Sequence, residues 1–254
     1  MTETPDGGKG FDFADWVPHI AELRRRVIAV LVVFLVFTVA AFVFSSRIVS
    51  FLLMPLGRHD IELHIFAPAD QFMAYLNVAF WTGLLCALPF LCLQAALFVW
   101  PGLRKNEYRY ACTALVIVPT LFMLGAAAAY LFLSPVVFNF FLTFGEGDGM
   151  LPLWGLRQYL ELLFRLMVAA GLLSQGPLVL LVLMATGVVS YKSVARFRCH
   201  FVLLIFFLAA LLTPPDVVSQ ILLGIPLYLL FEGALFLGRI LGKRRSQSSI
   251  DEVR

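Results

Sequence analysis

The chain has 254 residues, of which 61% are hydrophobic and 14% charged, and a formal net charge of +3 at pH 7. Soluble domains carry about a quarter charged residues and about half apolar ones. A mean hydropathy of +0.91 therefore excludes an ordinary soluble domain and assigns the chain to a bilayer.

A transmembrane strand needs only about 10 alternating residues, whereas the apolar runs here are long and continuous, so the spans are predicted helices. Six are expected, over 27–44, 72–100, 111–137, 159–189, 198–212 and 217–239. The first is preceded by His19-Ile20-Ala21-Glu22-Leu23-Arg24-Arg25-Arg26. Arg25-Arg26 does not read as an export signal of this chain itself, because no small-residue cleavage site follows and more spans do. The basic cluster is a topological anchor, and Glu22 stands four residues before Arg26, the spacing of a helical ion pair.

Residues 45–71 carry Pro55 and Pro68, and residues 142–158 carry Pro152 and several glycines; with apolar residues interspersed, both stretches are expected to be ordered caps. Between the second and third spans lies Pro101-Gly102-Leu103-Arg104-Lys105-Asn106-Glu107. The fourth span holds Glu161 and Arg165, four apart and expected to pair, and near its middle Gln175 before Gly176-Pro177. An ionisable or strongly polar group at such depth faces a cavity or a partner.

The fifth span is short. About 15 residues at about 1.5 Å each cover about 22 Å, against a hydrocarbon core of about 30 Å, so a locally thinned bilayer beside a polar concavity is expected. The alternative is that Arg198 and His200 snorkel and the bilayer barely responds. Between the fifth and sixth spans stands Thr213-Pro214-Pro215-Asp216-Val217-Val218-Ser219-Gln220. The prolines end one helix, Asp216 is placed to cap the next, and Gln220 shares its face. Glu232 lies late in the sixth span, and the tail 243–254 is basic, then polar, and expected to be disordered.

Orientation follows from the basic residues. Of 19 Lys and Arg, all but Arg47, Arg58, Arg157 and Arg165 fall on one side of the six spans. The positive-inside rule makes that side cytoplasmic and puts both termini there.

The three polar motifs, at 19–26, 101–107 and 213–220, occur in an order that resembles TatC, the multispanning receptor subunit of the twin-arginine protein translocase. The likeness runs from about His19 to Gly242. It implies an all-α integral membrane protein of six transmembrane helices, the last two short, with a concave face and ordered extracytoplasmic caps. Residues 1–242 form the single domain and 243–254 the tail. The implied function is to bind twin-arginine signal peptides of folded cargo and to assemble with TatA- and TatB-type single-span proteins in the inner membrane, driven by the proton motive force. Neither cofactor, metal nor nucleic acid is implied.

Carboxylates can take guanidinium groups by bidentate, charge-assisted hydrogen bonds. The separation of Glu22 and Glu107 says nothing of proximity. The resemblance supplies it by joining the amino-terminal segment and first cytoplasmic loop into one receptor surface, where Arg24, Gln94 and Phe98 also match. It likewise marks Gln175, Asp216, Gln220 and Glu232 for transport or partner contact. The sequence departs from the family where Gln175 replaces a common glutamate, Asn77 a common lysine and Phe231 a common tyrosine. A charge or titrating role is then unsupported at Gln175, while a hydrogen-bond role survives.

The four cysteines, Cys86, Cys92, Cys112 and Cys199, have no Cys-x-x-Cys spacing and are expected to pack as small apolar side chains. No hydrolase or phosphate-loop motif is present, and His19, His59, His64 and His200 form no sequence cluster. The reading is of a protein that is not an enzyme. A small-solute or ion transporter using Asp216, Gln175 and Glu161 is the alternative.

Overall fold

The computed structural model describes residues 17–54, 63–99, 108–144, 154–186, 188–212 and 217–251. Glu107, Asp216 and the proline pair before it lie outside the described residues. The elements are α1 (Val17–Val43), α2 (Ser45–Leu52), β1 (Leu63–His64), α3 (Asp70–Val99), α4 (Tyr108–Ala128), a π-helical turn (Ala129–Leu133), α5 (Ser134–Phe144), β2 (Trp154–Gly155), α6 (Leu156–Leu173), α7 (Gln175–Thr186), α8 (Tyr191–Arg196), α9 (Arg198–Leu212) and α10 (Val217–Asp251).

Among the described residues five helical stretches are long and apolar enough to cross a membrane: Ala21–Val43, Asp70–Phe98, Val116–Thr143, Leu156–Met184 and Gln220–Arg239. Arg198–Leu211 is a shorter apolar helix. The protein is thus an all-α, multispanning membrane protein.

Prolines explain the irregular points. Pro135 has no N–H to donate, and just before it α4 loosens into the π turn, where the Ser134 hydroxyl donates instead to the Tyr130 carbonyl at 2.7 Å. Pro177 acts similarly three residues into α7. The Leu173 carbonyl loses its helical donor, and the break between α6 and α7 falls at Ser174, whose hydroxyl donates to the Ala170 carbonyl at 2.6 Å. The third span accordingly continues to Phe144, beyond the expected end, and the fourth is divided in two.

The core is built around α6. Tyr159, Leu160, Leu163, Phe164 and Leu166 are almost fully buried and pack with Ala74 and Val78 of α3 and Phe122 and Ala126 of α4. Lipid tails are as apolar as leucine, so close packing rather than release of water holds such a bundle together. Small residues allow that approach. A Cβ on Gly83 would come within 2.9 Å of the Thr38 backbone in α1, and one on Gly125 within 2.8 Å of the Ala170 carbonyl in α6. The opposite face of α1 presents Leu31, Leu35, Val39 and Val43 outward, the surface expected of a helix in contact with acyl chains.

One feature departs from the sequence reading. β1 and β2 form a two-residue parallel bridge, Leu63 opposite Trp154 and His64 opposite Gly155; a pair this short leaves no alternating pattern to read. The last helix, α10, extends to Asp251, and no glycine or proline interrupts residues 243–251.

Candidate functional site

The sequence-marked polar residues fall into two regions. In the first, α1 and the end of α3 lie side by side. Glu22 and Arg26 sit one turn apart on α1, and Arg26 faces α3. Its Nε and Nη2 donate to Glu22 Oε1 at 3.1 and 2.5 Å, and its Nη1 donates to Gln94 Oε1 at 2.9 Å. Longer contacts reach the carbonyls of Gln94 at 3.4 Å and Leu97 at 3.5 Å. Arg26 is 21% exposed and Glu22 38%, so the network is shielded on one side and open on the other. Phe98, one turn past Gln94, is half-buried, and Arg24 is exposed.

The structure therefore brings Glu22 and Gln94 together through Arg26. The helical ion pair foreseen for Glu22 is present, and it is part of a larger link between helices. Arg26 is the residue whose reach sequence reasoning missed. Its spacing from Glu22 was legible, but only the packing of α1 on α3 brings the carbonyl-rich end of α3 within range.

In the second region the marked residues do not converge on one another's hydrogen bonds. Gln175 donates to the Val118 carbonyl of α4 at 3.3 Å and, at 3.5 Å, to the Gly171 carbonyl in its own span. Gln220 donates to the Phe206 carbonyl of α9 at 2.9 Å. Glu232 pairs with Arg198 at 3.4 Å and accepts from the Tyr228 hydroxyl at 3.2 Å. Residues 198 and 206 of α9 meet 232 and 220 of α10, an antiparallel register. Glu161 and Arg165 pair with each other as expected, at 2.5 Å. Cys86 and Cys92 are half-buried, while Cys199 is exposed rather than packed, in a first turn of α9 whose Arg198 and His200 are exposed as well.

The arrangement can bind a planar cation at one end of the molecule and can hydrogen-bond between helices within it. Comparison with known proteins gives this geometry its setting. The family model described as "Sec-independent protein translocase protein (TatC)" matches residues 18–226. This chain belongs to the TatC family. The TatC protein of Magnetococcus marinus is 34% identical over 244 residues, covering 94% of this chain and 89% of that protein. The TatC protein of Aquifex aeolicus is 31% identical, covering 90% of this chain and 96% of that one. A solved structure described as the crystal structure of the twin-arginine translocase receptor TatC in DDM superposes with a TM-score of 0.77 at 32% identity, covering 87% of this chain and 99% of the other. The matched TatC region contains the Arg26 network and continues through Gln175 and Gln220; Glu232 lies beyond it. Family membership decides for a translocase component over the solute-transporter alternative.

Proposed function

We propose that this TatC chain recognises twin-arginine signal peptides of folded proteins with Glu22 and Glu107, and that Arg24, Gln94 and Phe98 complete the surface. As a member of its family the chain is the core receptor of a twin-arginine translocase in the inner membrane and not an enzyme. The observation that carries the binding reading is the network at Glu22, where a carboxylate, a side-chain amide and two backbone carbonyls all accept from one guanidinium. A side-chain set that holds one guanidinium is chemically suited to another.

In this reading α9 completes six crossings, with both termini cytoplasmic, as the distribution of Lys and Arg supports. The bridge between β1 and β2 belongs to the extracytoplasmic caps. The brevity of α9, 15 residues long, supports a thinned bilayer beside the concave face. Gln175, Asp216, Gln220 and Glu232 serve transport or contact with TatA- and TatB-type single-span proteins, and the proton motive force supplies the energy.

The test is crosslinking of signal peptides to the chain in membranes. Arg-Arg signals should label the wild type strongly and Lys-Lys signals weakly, and both Glu22→Ala and Glu107→Ala should reduce the Arg-Arg label. Equal labelling by the two signals, unaffected by either substitution, would remove the carboxylates from the site.

A further inference from the structure

The acceptors around Arg26 form a guanidinium site that is already filled. Glu22 Oε1 takes two of the three donor nitrogens and Gln94 Oε1 the third. Behind them stand the Gln94 and Leu97 carbonyls at 3.4 and 3.5 Å. α3 ends at Val99, so the Leu97 carbonyl is among the last four, which no later N–H of the helix can reach. The negative end of the helix dipole adds its attraction for a cation there. Arg24 and Arg25 are exposed on the same stretch of α1 and supply anchoring charge without Arg26.

We propose that Arg26 is an internal stand-in for an arginine of the signal. In the empty receptor it occupies Glu22 and Gln94, and an incoming signal arginine takes those acceptors by exchange. This rests on the receptor reading of Glu22. Exchange keeps the carboxylate paired with a cation before and after binding, so no bare charge is left at the membrane edge.

Exchange also sets a threshold. A guanidinium can match the planar set of acceptors that Arg26 gives up, whereas the compact ammonium of lysine cannot reach Glu22 and Gln94 in the same fork geometry. A lysine signal must therefore displace a better ligand than itself. Arg26 becomes a specificity-determining residue that acts by competition. If Arg26 were only a tie between α1 and α3, its removal would loosen the site and weaken every peptide.

The experiment measures binding of fluorescently labelled Arg-Arg and Lys-Lys signal peptides to the full chain in lipid nanodiscs at fixed salt. It compares wild type with Arg26→Met, Arg26→Lys and Glu22→Gln. Arg26→Met should bind the Arg-Arg peptide about three- to tenfold more tightly, gain more for Lys-Lys, and so narrow the preference between them. Arg26→Lys, which keeps the charge and the anchoring, should fall between wild type and Arg26→Met. Glu22→Gln should weaken Arg-Arg binding. Unchanged or weaker Arg-Arg binding by Arg26→Lys, or by Arg26→Met that elutes as folded protein, would overturn the stand-in and leave Arg26 as a tie. The receptor reading would then survive on the loss seen in Glu22→Gln. If Glu22→Gln binds both peptides as wild type does, the carboxylate is outside the site and both proposals fall.

Discussion

The hydroxyl of Tyr159 donates to the carbonyl of Leu52 at 2.9 Å, joining the middle of the chain to the end of α2 across 107 residues of sequence. Tyr130 does the same for the neighbouring carbonyl of Phe51 at 2.6 Å. Tyr159 is 2% exposed, so Tyr159→Phe keeps the packing and removes the donor to the carbonyl of the buried Leu52. The expected loss is about 1–2 kcal/mol, read as a lower unfolding midpoint in detergent. Tyr130→Phe should cost less, since the Phe51 carbonyl also accepts from the Met54 N–H at 3.2 Å. A larger effect at Tyr130 would contradict this ranking.

At Gly83 α3 lies close against the backbone of α1. A leucine there would drive its Cβ into the Thr38 backbone, 2.9 Å away, where no flexible side-chain end can yield. Gly83→Leu should destabilise the pair by about 1–3 kcal/mol or more and separate Arg26 from Gln94. Protease sensitivity and the yield of monodisperse protein report the first effect, and signal-peptide binding reports the second. Wild-type binding by Gly83→Leu would show that the Arg26 network does not depend on this contact.

Gln175 makes two long hydrogen bonds, at 3.3 and 3.5 Å, too stretched to contribute much to folding. Gln175→Leu is expected to shift unfolding by less than about 1 kcal/mol while lowering export of a twin-arginine reporter in cells. A large loss of stability accompanied by a matching loss of export would make Gln175 a structural residue instead.

At the α9 and α10 pair, Gln220→Leu removes a 2.9 Å hydrogen bond and should cost about 0.5–1.5 kcal/mol. Glu232→Gln breaks a 3.4 Å ion pair whose partners are 29% and 46% exposed, and should cost about 0–1 kcal/mol. The bonds share no residue, so the double variant should show nearly the sum in chemical unfolding. Strong non-additivity would mean that the two contacts form and break together.

The sequence exposed much of the fold because the bilayer imposes length and apolarity on each span. The runs that became α1, α3 and α10 needed no knowledge of tertiary contacts. The ion pairs Glu22–Arg26 and Glu161–Arg165 were readable too, since both are four apart on a helix. What could not be read were relations set by packing. Nothing in the spacing of Arg26 and Gln94, 68 residues apart, announces their contact, and nothing local marks Tyr130 and Tyr159 as donors to α2. The π turn had a visible cause in Pro135, but proline predicts only that helical hydrogen bonding fails, not how the turn reforms.

The ties at Arg198–Glu232 and Phe206–Gln220 have a mechanical meaning. Two contacts spaced along an antiparallel pair set its register, so α9 can slide along α10 only by breaking both. Beyond Glu232, α10 packs on α7 and α8, with Leu235 buried against Met184 and Val194, and it then runs on to Asp251. A displacement of α10 would therefore reach α9 at its start through Glu232 and at its middle through Gln220, and α7 through Leu235 and Met184.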